Sequence, residues 1–234
     1  MILSPTIPRE EILRTCRLLM AAGDVHEVRI PKAGRRGTIA GYFDDAERLA
    51  DAVLAIDGTV PGVYLTLNPC NPALLARSAN RLEERAQVTT SDADILRRRW
   101  LLIDFDPVRP AGISSTKREH GWAVSAACGA WDDLRGAGFP DPVVGDSGNG
   151  AHLLYRVDLP NDSSATELVK GILAGVAARC APDDISVDQT VFNAGRITKA
   201  YGTLACKGDN LPERPHRRSR LLEIPDDLRV LEGR

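Results

Sequence analysis

Trp100-Leu101-Leu102-Ile103-Asp104-Phe105-Asp106 runs an apolar stretch into two aspartates separated by a phenylalanine. A β-strand turns successive side chains to opposite faces, so Asp104 and Asp106 share one face and Phe105 takes the other. The residues before them are almost wholly apolar, as in a strand buried on both faces at the centre of a sheet. The acids then stand at its C-terminal end. Two carboxylates so placed repel each other unless a cation lies between them. Hard divalent ions such as Mg²⁺ and Mn²⁺ take oxygen ligands of this kind. By itself the pair reads equally as a metal-binding pair and as a strand running out into a solvated acidic turn. If the two acids only repel, removal of one leaves stability unchanged or raises it.

Outward from this strand, strand-like and helix-like patterns alternate, which points to an α/β or α+β arrangement. On the N-terminal side an amphipathic helix is expected over residues 9–22, with short strands over 27–31 and 38–43 around a Gly/Arg turn and another over 63–68. Asp44 stands three residues before Glu47, the capping-box spacing, and Leu49, Val53 and Leu54 follow at helical spacing. Asn71-Pro72 offers an N-cap followed by proline at the first helical position, with Leu75, Ala79 and Leu82 as the expected buried stripe. On the C-terminal side strands are expected over 142–145, 151–157, 187–191, 196–201 and 221–224. Helices are expected over 120–135 and 164–180, the second burying Leu168, Ile172 and Val176. Trp122 and Trp131, both on the first of these, are read as core residues. A soft boundary near residue 90 separates an N-terminal α/β lobe, 1–90, from a second lobe, 91–234.

Two further segments carry chemistry. Gly145-Asp146-Ser147-Gly148-Asn149-Gly150-Ala151-His152 is glycine-rich, and glycine permits positive φ and close backbone approach. Such a turn feeding a histidine can cradle phosphate with backbone N–H groups and an imidazole. By itself it reads more readily as a hairpin turn with His152 on a solvent-facing strand position. Asp188 follows Ile185-Ser186-Val187 and offers a third carboxylate. Arg196, Lys199 and Lys207 add positive charge that could meet a triphosphate, arginine through bidentate contacts and lysine as a point charge. The plainer alternative is a surface strand of mixed charge.

Composition bounds the rest. The chain has 234 residues, 43% hydrophobic and 26% charged, an ordinary globular composition. It holds no run of about 18 apolar residues and no basic-then-apolar opening over residues 1–10, so a cytoplasmic protein without membrane association is expected. The cysteines are scattered without CxxC or Cys/His clustering, which argues against zinc and for reduced thiols. The formal net charge is −2, from 30 Lys+Arg and 32 Asp+Glu, and does not announce a nucleic-acid partner. Basic residues nevertheless cluster at 32–36, 97–99 and 214–220. The Arg35-Arg36-Gly37 turn is the stronger DNA candidate because a glycine-flanked basic turn reaches outward, whereas 97–99 reads as a solvated face. Arg109, Ser114, Ser115 and Lys117, in a Pro/Gly loop after the acid strand, read equally as nucleotide or template contacts and as structural loop.

Taken in order, these segments resemble the archaeo-eukaryotic primase (AEP) superfamily, in particular the primase–polymerase (prim-pol) domains of phage and plasmid replication proteins. That family carries a hhhDhD/E strand, then an sxH motif, then a third Asp on a later strand followed by a basic nucleotide-binding segment. Here these are Ile103-Asp104-Phe105-Asp106, Gly150-Ala151-His152, and Asp188 with Asn193 and Arg196. The likeness spans residues 64–208. One position departs from it: the small hydroxyl residue two before the histidine is Gly150, and Ser147 or Asn149 are the candidates to supply the missing phosphate contact.

The resemblance implies an α+β fold, an RRM-like antiparallel catalytic sheet packed against an N-terminal α/β unit, with the whole chain one prim-pol catalytic domain. It implies a DNA primase/polymerase, a nucleotidyltransferase in which a 3′-hydroxyl attacks the α-phosphorus of a (d)NTP. Asp104, Asp106 and Asp188 would hold two divalent ions, Mg²⁺ or Mn²⁺. His152 and Arg196 would grip the triphosphate, with Lys199 and Lys207 as weaker contacts. Single-stranded or primed DNA would be the template. With little chain beyond residue 224, a helicase region of a longer protein is the expected companion. Two other classes compete: a non-catalytic nucleotide- or DNA-binding module of a replication protein, and a metal-dependent phosphohydrolase. Mere binding does not demand three converging acids, which weighs against the first.

Overall fold

The structure, a computed structural model, describes residues 8–232; most of the opening segment read as free of a leader lies outside them. Along the chain come α1 (Pro8–Leu19), β1 (His26–Ile30), β2 (Ile39–Phe43), α2 (Ala46–Ile56) and β3 (Tyr64–Thr66). Then follow β4 (Arg97–Pro107), α3 (Lys117–Gly136), β5 (Val143–Asp146), β6 (Ala151–Pro160), α4 (Ser163–Cys180) and β7 (Ile185–Val187). The short strands β8 (Ile197–Lys199), β9 (Leu204–Ala205), β10 (Arg217–Arg218) and β11 (Arg220–Glu223) complete the chain. The fold is α+β, with helices packed on antiparallel sheets.

β4 lies inside a five-stranded sheet of order β11-β5-β6-β4-β7. It pairs antiparallel with β6 from Arg97↔Pro160 to Phe105↔Ala151, and its C-terminal end pairs with β7. Both of its faces are buried from Trp100 to Ile103, which is why its sequence is continuously apolar rather than alternating. The helical cover on one face comes from α3 and α4. α3 buries Ala123, Ala127, Ala130 and Leu134, a helical stripe of small residues that lets its axis lie close to the sheet. A second sheet has the order β2-β1-β3-β8. Its last strand comes from beyond residue 190, with Tyr64 opposite Lys199, so residues from both sides of position 90 build it. Among the described residues, no helix is long and apolar enough to cross a membrane.

Several local expectations shift. The N-cap of α2 is Asp45, whose carboxylate accepts the N–H groups of Glu47 and Arg48; Asp44 instead accepts from the Asn80 side chain at 2.7 Å. Asn71 does cap a helix with proline at its start, but it is a 3-10 turn, Pro72–Arg77, that buries Leu74. The expected Leu75/Ala79/Leu82 stripe does not form. The open edge of β2 captures the following segment: Tyr42 donates to the Ser78 carbonyl, Asn80 to that of Tyr42, and Glu83 to that of Ala40. Unpaired edge groups of a strand readily recruit passing backbone in this way. α4 turns Ala165, Val169, Leu173 and Val176 inward and leaves Leu168 exposed and Ile172 only partly buried. Trp122 is 42% exposed, with the Arg118 guanidinium over its ring, and the half-buried Trp131 donates its indole N–H to Asp141. β7 ends at Val187 because Asp188 accepts from both the N–H and the hydroxyl of Thr190, closing a turn.

Phe105 is fully buried on the opposite face from the acids. Phe105→Ala should cost about 3–5 kcal/mol, measured as a drop in the urea unfolding midpoint, with the secondary structure retained.

Candidate active site

The register of the central sheet sets the site. Asp104 stands directly opposite His152 on β6. On the other side Phe105 pairs with Val187 and Asp106 with Ser186. The Asp188 N–H donates to the Asp104 carbonyl at 3.0 Å, one rung further along. His152, Asp104 and Asp188 therefore stand abreast across three adjacent strands, and residues opposite one another in an antiparallel ladder share a face. Asp106 is the next residue of β4 on that same face.

His152 is 5% exposed, not on a solvent-facing hairpin position. Its Nε2 lies 3.4 Å from Asp104 Oδ1, and its Nδ1 is 2.7 Å from the Tyr201 hydroxyl. Burial pushes the Tyr201 hydroxyl far up, and the charges of Asp104 and Asp146 add to it, so the phenol keeps its proton. The hydrogen bond between the Tyr201 hydroxyl and Nδ1 holds the ring so that Nε2 is directed at Asp104. Gly145 makes this possible: a Cβ there would stand 2.5 Å from the Tyr201 ring. Nothing in the sequence marked Tyr201. Burial raises the Tyr64 hydroxyl, and the charges of Asp104 and Asp106 add to it.

The acids do not simply repel. Burial would raise the Asp104 carboxyl, but the charge and hydrogen bond of His152, with Lys207 and Arg196 farther off, outweigh it and hold the group below the usual carboxylate range. Asp106 Oδ2 lies 3.3 Å from the buried Arg109 guanidinium and 4.0 Å from the Lys207 ammonium. Arg109 is tied as well to the carbonyls of Pro107 and Ile113. Both acids already have compensating groups of the protein beside them, so the bare repulsion from which unchanged or raised stability was expected is not what the structure shows.

The remaining predicted residues separate into two groups. Lys207 is at the acids. Arg196 is half-buried beside the Asp188 turn, where its guanidinium donates to the Thr190 carbonyl. Ser147 Oγ accepts the Gly150 N–H at 3.0 Å, and the buried Asn149 Oδ1 accepts the Ser115 N–H at 2.8 Å, so both atoms shape the glycine-rich loop. Asn193 instead donates to Asp92 at 3.0 Å, alongside the Gly195 N–H, and anchors its loop. Lys199 is 3% exposed. Its ammonium donates to the Leu204 carbonyl at 2.8 Å and lies over the Tyr64 ring, which directs it into the protein rather than outward. Burial lowers it to about 7. Arg35 and Arg36 are on the β1–β2 connection in the other sheet; Arg36 is held by the Thr59 carbonyl at 2.8 Å.

The departure at Gly150 has a steric cause. A Cβ at that position would overlap the Phe105 carbonyl oxygen and come within 2.9 Å of Asp106 Oδ1. A hydroxyl-bearing residue cannot stand there without moving backbone.

The donor chemistry suits a hard divalent cation, since carboxylate oxygens on one face of neighbouring strands are the ligands such ions prefer. As the side chains stand, no three His, Cys, Asp or Glu among the described residues converge into a metal-holding group. Asp188 is turned to Thr190, Asp104 to His152, and Asp106 to Arg109 and Lys207.

No family model matches the sequence, and no curated protein matches it significantly. Solved structures do share its fold. The AEP domain of the cyanophage S-2L primase-polymerase superposes with a TM-score of 0.57 at 14% identity, over 97% of this chain and 95% of that one. The primase RepB′ gives 0.52 at 12% identity, over 92% of this chain and 56% of that one. The catalytic domain of RepB′ in complex with initiator DNA gives 0.51 at 12% identity, over 93% and 85%. The chain has the fold of these primase and primase-polymerase domains.

Gly150→Ser, which would install the hydroxyl of the sxH motif, should destabilise the protein by about 1–3 kcal/mol through overpacking, read as a lower urea midpoint. Lys199 sheds its proton near 7 in the folded chain but only near 10.4 when unfolded. Between those values the unfolded state binds the extra proton, so stability rises with pH, at up to about 1.4 kcal/mol per unit from this group. Lys199→Met should remove that part of the rise when the two proteins are compared in urea titrations from pH 6.5 to 10.

Proposed function

We propose that this chain is a DNA primase/polymerase, a nucleotidyltransferase that joins (d)NTPs on a single-stranded or primed template in the replication of phage or plasmid DNA. The observation that supports this reading above all others is the row His152–Asp104–Asp188 across three adjacent strands, with Asp106 next to it on the same face. The fold shared with primase-polymerase domains supports it independently, and one such neighbour was solved with initiator DNA.

In this reading Asp104, Asp106 and Asp188 hold two divalent ions, Mg²⁺ or Mn²⁺. When bound, such ions stabilise charge on the attacking and leaving oxygens of an in-line displacement. The chain's own residues position and compensate. Tyr201 fixes the His152 ring, so that the imidazole stands beside the acids as a preoriented donor for a phosphate oxygen. Lys207, partly exposed and only loosely paired with Asp106, is free to turn toward a triphosphate. Arg196 supplies positive charge on the Asp188 side. Arg35 and Arg36 are candidate backbone contacts on the other sheet, and a helicase region of a longer protein is the expected working context.

Asp104→Asn should lower metal-dependent incorporation on a primed template at least about a thousandfold, the loss of some 4 kcal/mol of transition-state stabilisation. Its stability should fall rather than rise at neutral pH. The depressed Asp104 carboxyl contributes stability that is present above about pH 3.9 and is lost as pH falls further, so the two proteins should converge in thermal melts toward pH 3. Near wild-type extension by Asp104→Asn would overturn the reading, and metal-dependent phosphate release without incorporation would replace it with a phosphohydrolase.

A further inference from the structure

The basic run 214–220 is not a single solvated face. Arg214 is paired with Glu119 at 2.8 Å and also donates to the Ser114 carbonyl. Arg218 is paired with Asp57 at 2.5 Å. These two tie the C-terminal segment to the body of the protein. Arg217, whose guanidinium also donates to the Ser115 carbonyl at 2.8 Å, and Arg220 line, with Arg14, Lys117, His120 and the tied Arg218, a cleft of about 790 Å³ between α1, α3 and β11.

Five Lys or Arg residues line this cleft against two acids, Glu11 and Asp146. Both acids are buried and already engaged. Glu11 accepts the Leu221 N–H at 2.5 Å and stands 3.5 Å from Arg14. Asp146 accepts from the Gly148 N–H at 2.8 Å, with His120 at 2.9 Å and Arg220 at 3.6 Å. The acids therefore form a compensated floor, and the accessible rim is cationic in a chain whose net charge is −2. One terminal nitrogen of Arg217 is buried without a hydrogen-bond partner among the described residues. Pro8, Pro212, Pro215 and Leu221 supply apolar walls. A positively charged groove of this kind is the chemistry that tracks a single-stranded phosphate backbone.

The cleft also stands close to the acids. Asp146, on its floor, opens the glycine-rich loop, and Gly150, at the other end of that loop, packs against Asp106. Cleft and carboxylate row are thus the two sides of one short turn.

We infer that this cleft, lined by Arg14, Lys117, Arg217 and Arg220, is the track by which single-stranded DNA approaches the carboxylate row. The inference rests on the proposed polymerase reading for its partner, but not on catalysis. The test is fluorescence anisotropy of a labelled oligothymidylate in EDTA, titrated across salt. A Lys117→Ala/Arg220→Ala double variant should bind at least tenfold more weakly at low salt. Its log K against log salt slope should flatten by about 0.7 for each lost phosphate contact. An Arg48→Ala/Arg81→Ala double variant, with the same change in net charge, should match the wild type. Unchanged affinity and slope in the cleft variant, or equal losses in both variants, would overturn the track. Displacement of the oligonucleotide by dTTP at equal phosphate concentration would overturn it too, in favour of a mononucleotide pocket. Asp104→Asn should retain the full slope, so the track stands even where incorporation is absent. Unchanged binding by a cleft variant that still extends primers would remove the track and leave nucleotidyl transfer standing.

Discussion

The pairing of β4 with β6 on one side and β7 on the other is the constraint on which the rest of this molecule depends. Register in a sheet is all or nothing, because a slip of one residue sends every side chain to the opposite face. With Asp104 opposite His152 and the Asp188 N–H on the Asp104 carbonyl, three candidate site residues from distant parts of the sequence fall in one row. A one-residue slip would bury the carboxylates among the helices and put Phe105 in their place. The apolar stretch from Trp100 to Ile103, buried on both faces, is what makes that slip costly.

Charge balance is the second theme. The carboxylates gather on one face, yet each has a basic or donor neighbour: His152 for Asp104, Arg109 and Lys207 for Asp106, and Thr190 for Asp188. This arrangement compensates the acids with the protein's own groups, and it leaves the partly exposed Lys207 ammonium beside them. The glycines serve the same end by steric means. Gly145 admits the Tyr201 ring that orients His152, and Gly150 admits the approach of loop to strand beside Asp106.

The two basic features that a charge count blurs together separate in space. Arg214 and Arg218 are paired with acids, whereas Arg217 and Arg220 line a cleft that Arg218 also borders. A nearly neutral chain can still present a strongly cationic surface when its acids are buried and compensated, since the potential near a surface depends on which charges reach it.

The sequence alone determined the strand that carries the acids, the shared face of Asp104 and Asp106, the position of the later Asp188 and most of the helices and strands. These follow from period and local chemistry, which neighbours along the chain are enough to specify. The helix face of α4, the 3-10 turn after Asn71 and the inward course of Lys199 were decided only by packing against partners far away in sequence. So were Tyr201 behind His152, the cations that hold Asp104 and Asp106, and the division of the 214–220 run into ties and cleft. Each of these depends on which side chains meet across strands and loops distant in the chain. That is set by the tertiary structure, because a contact between residues such as His152 and Tyr201 leaves no periodic trace in either segment.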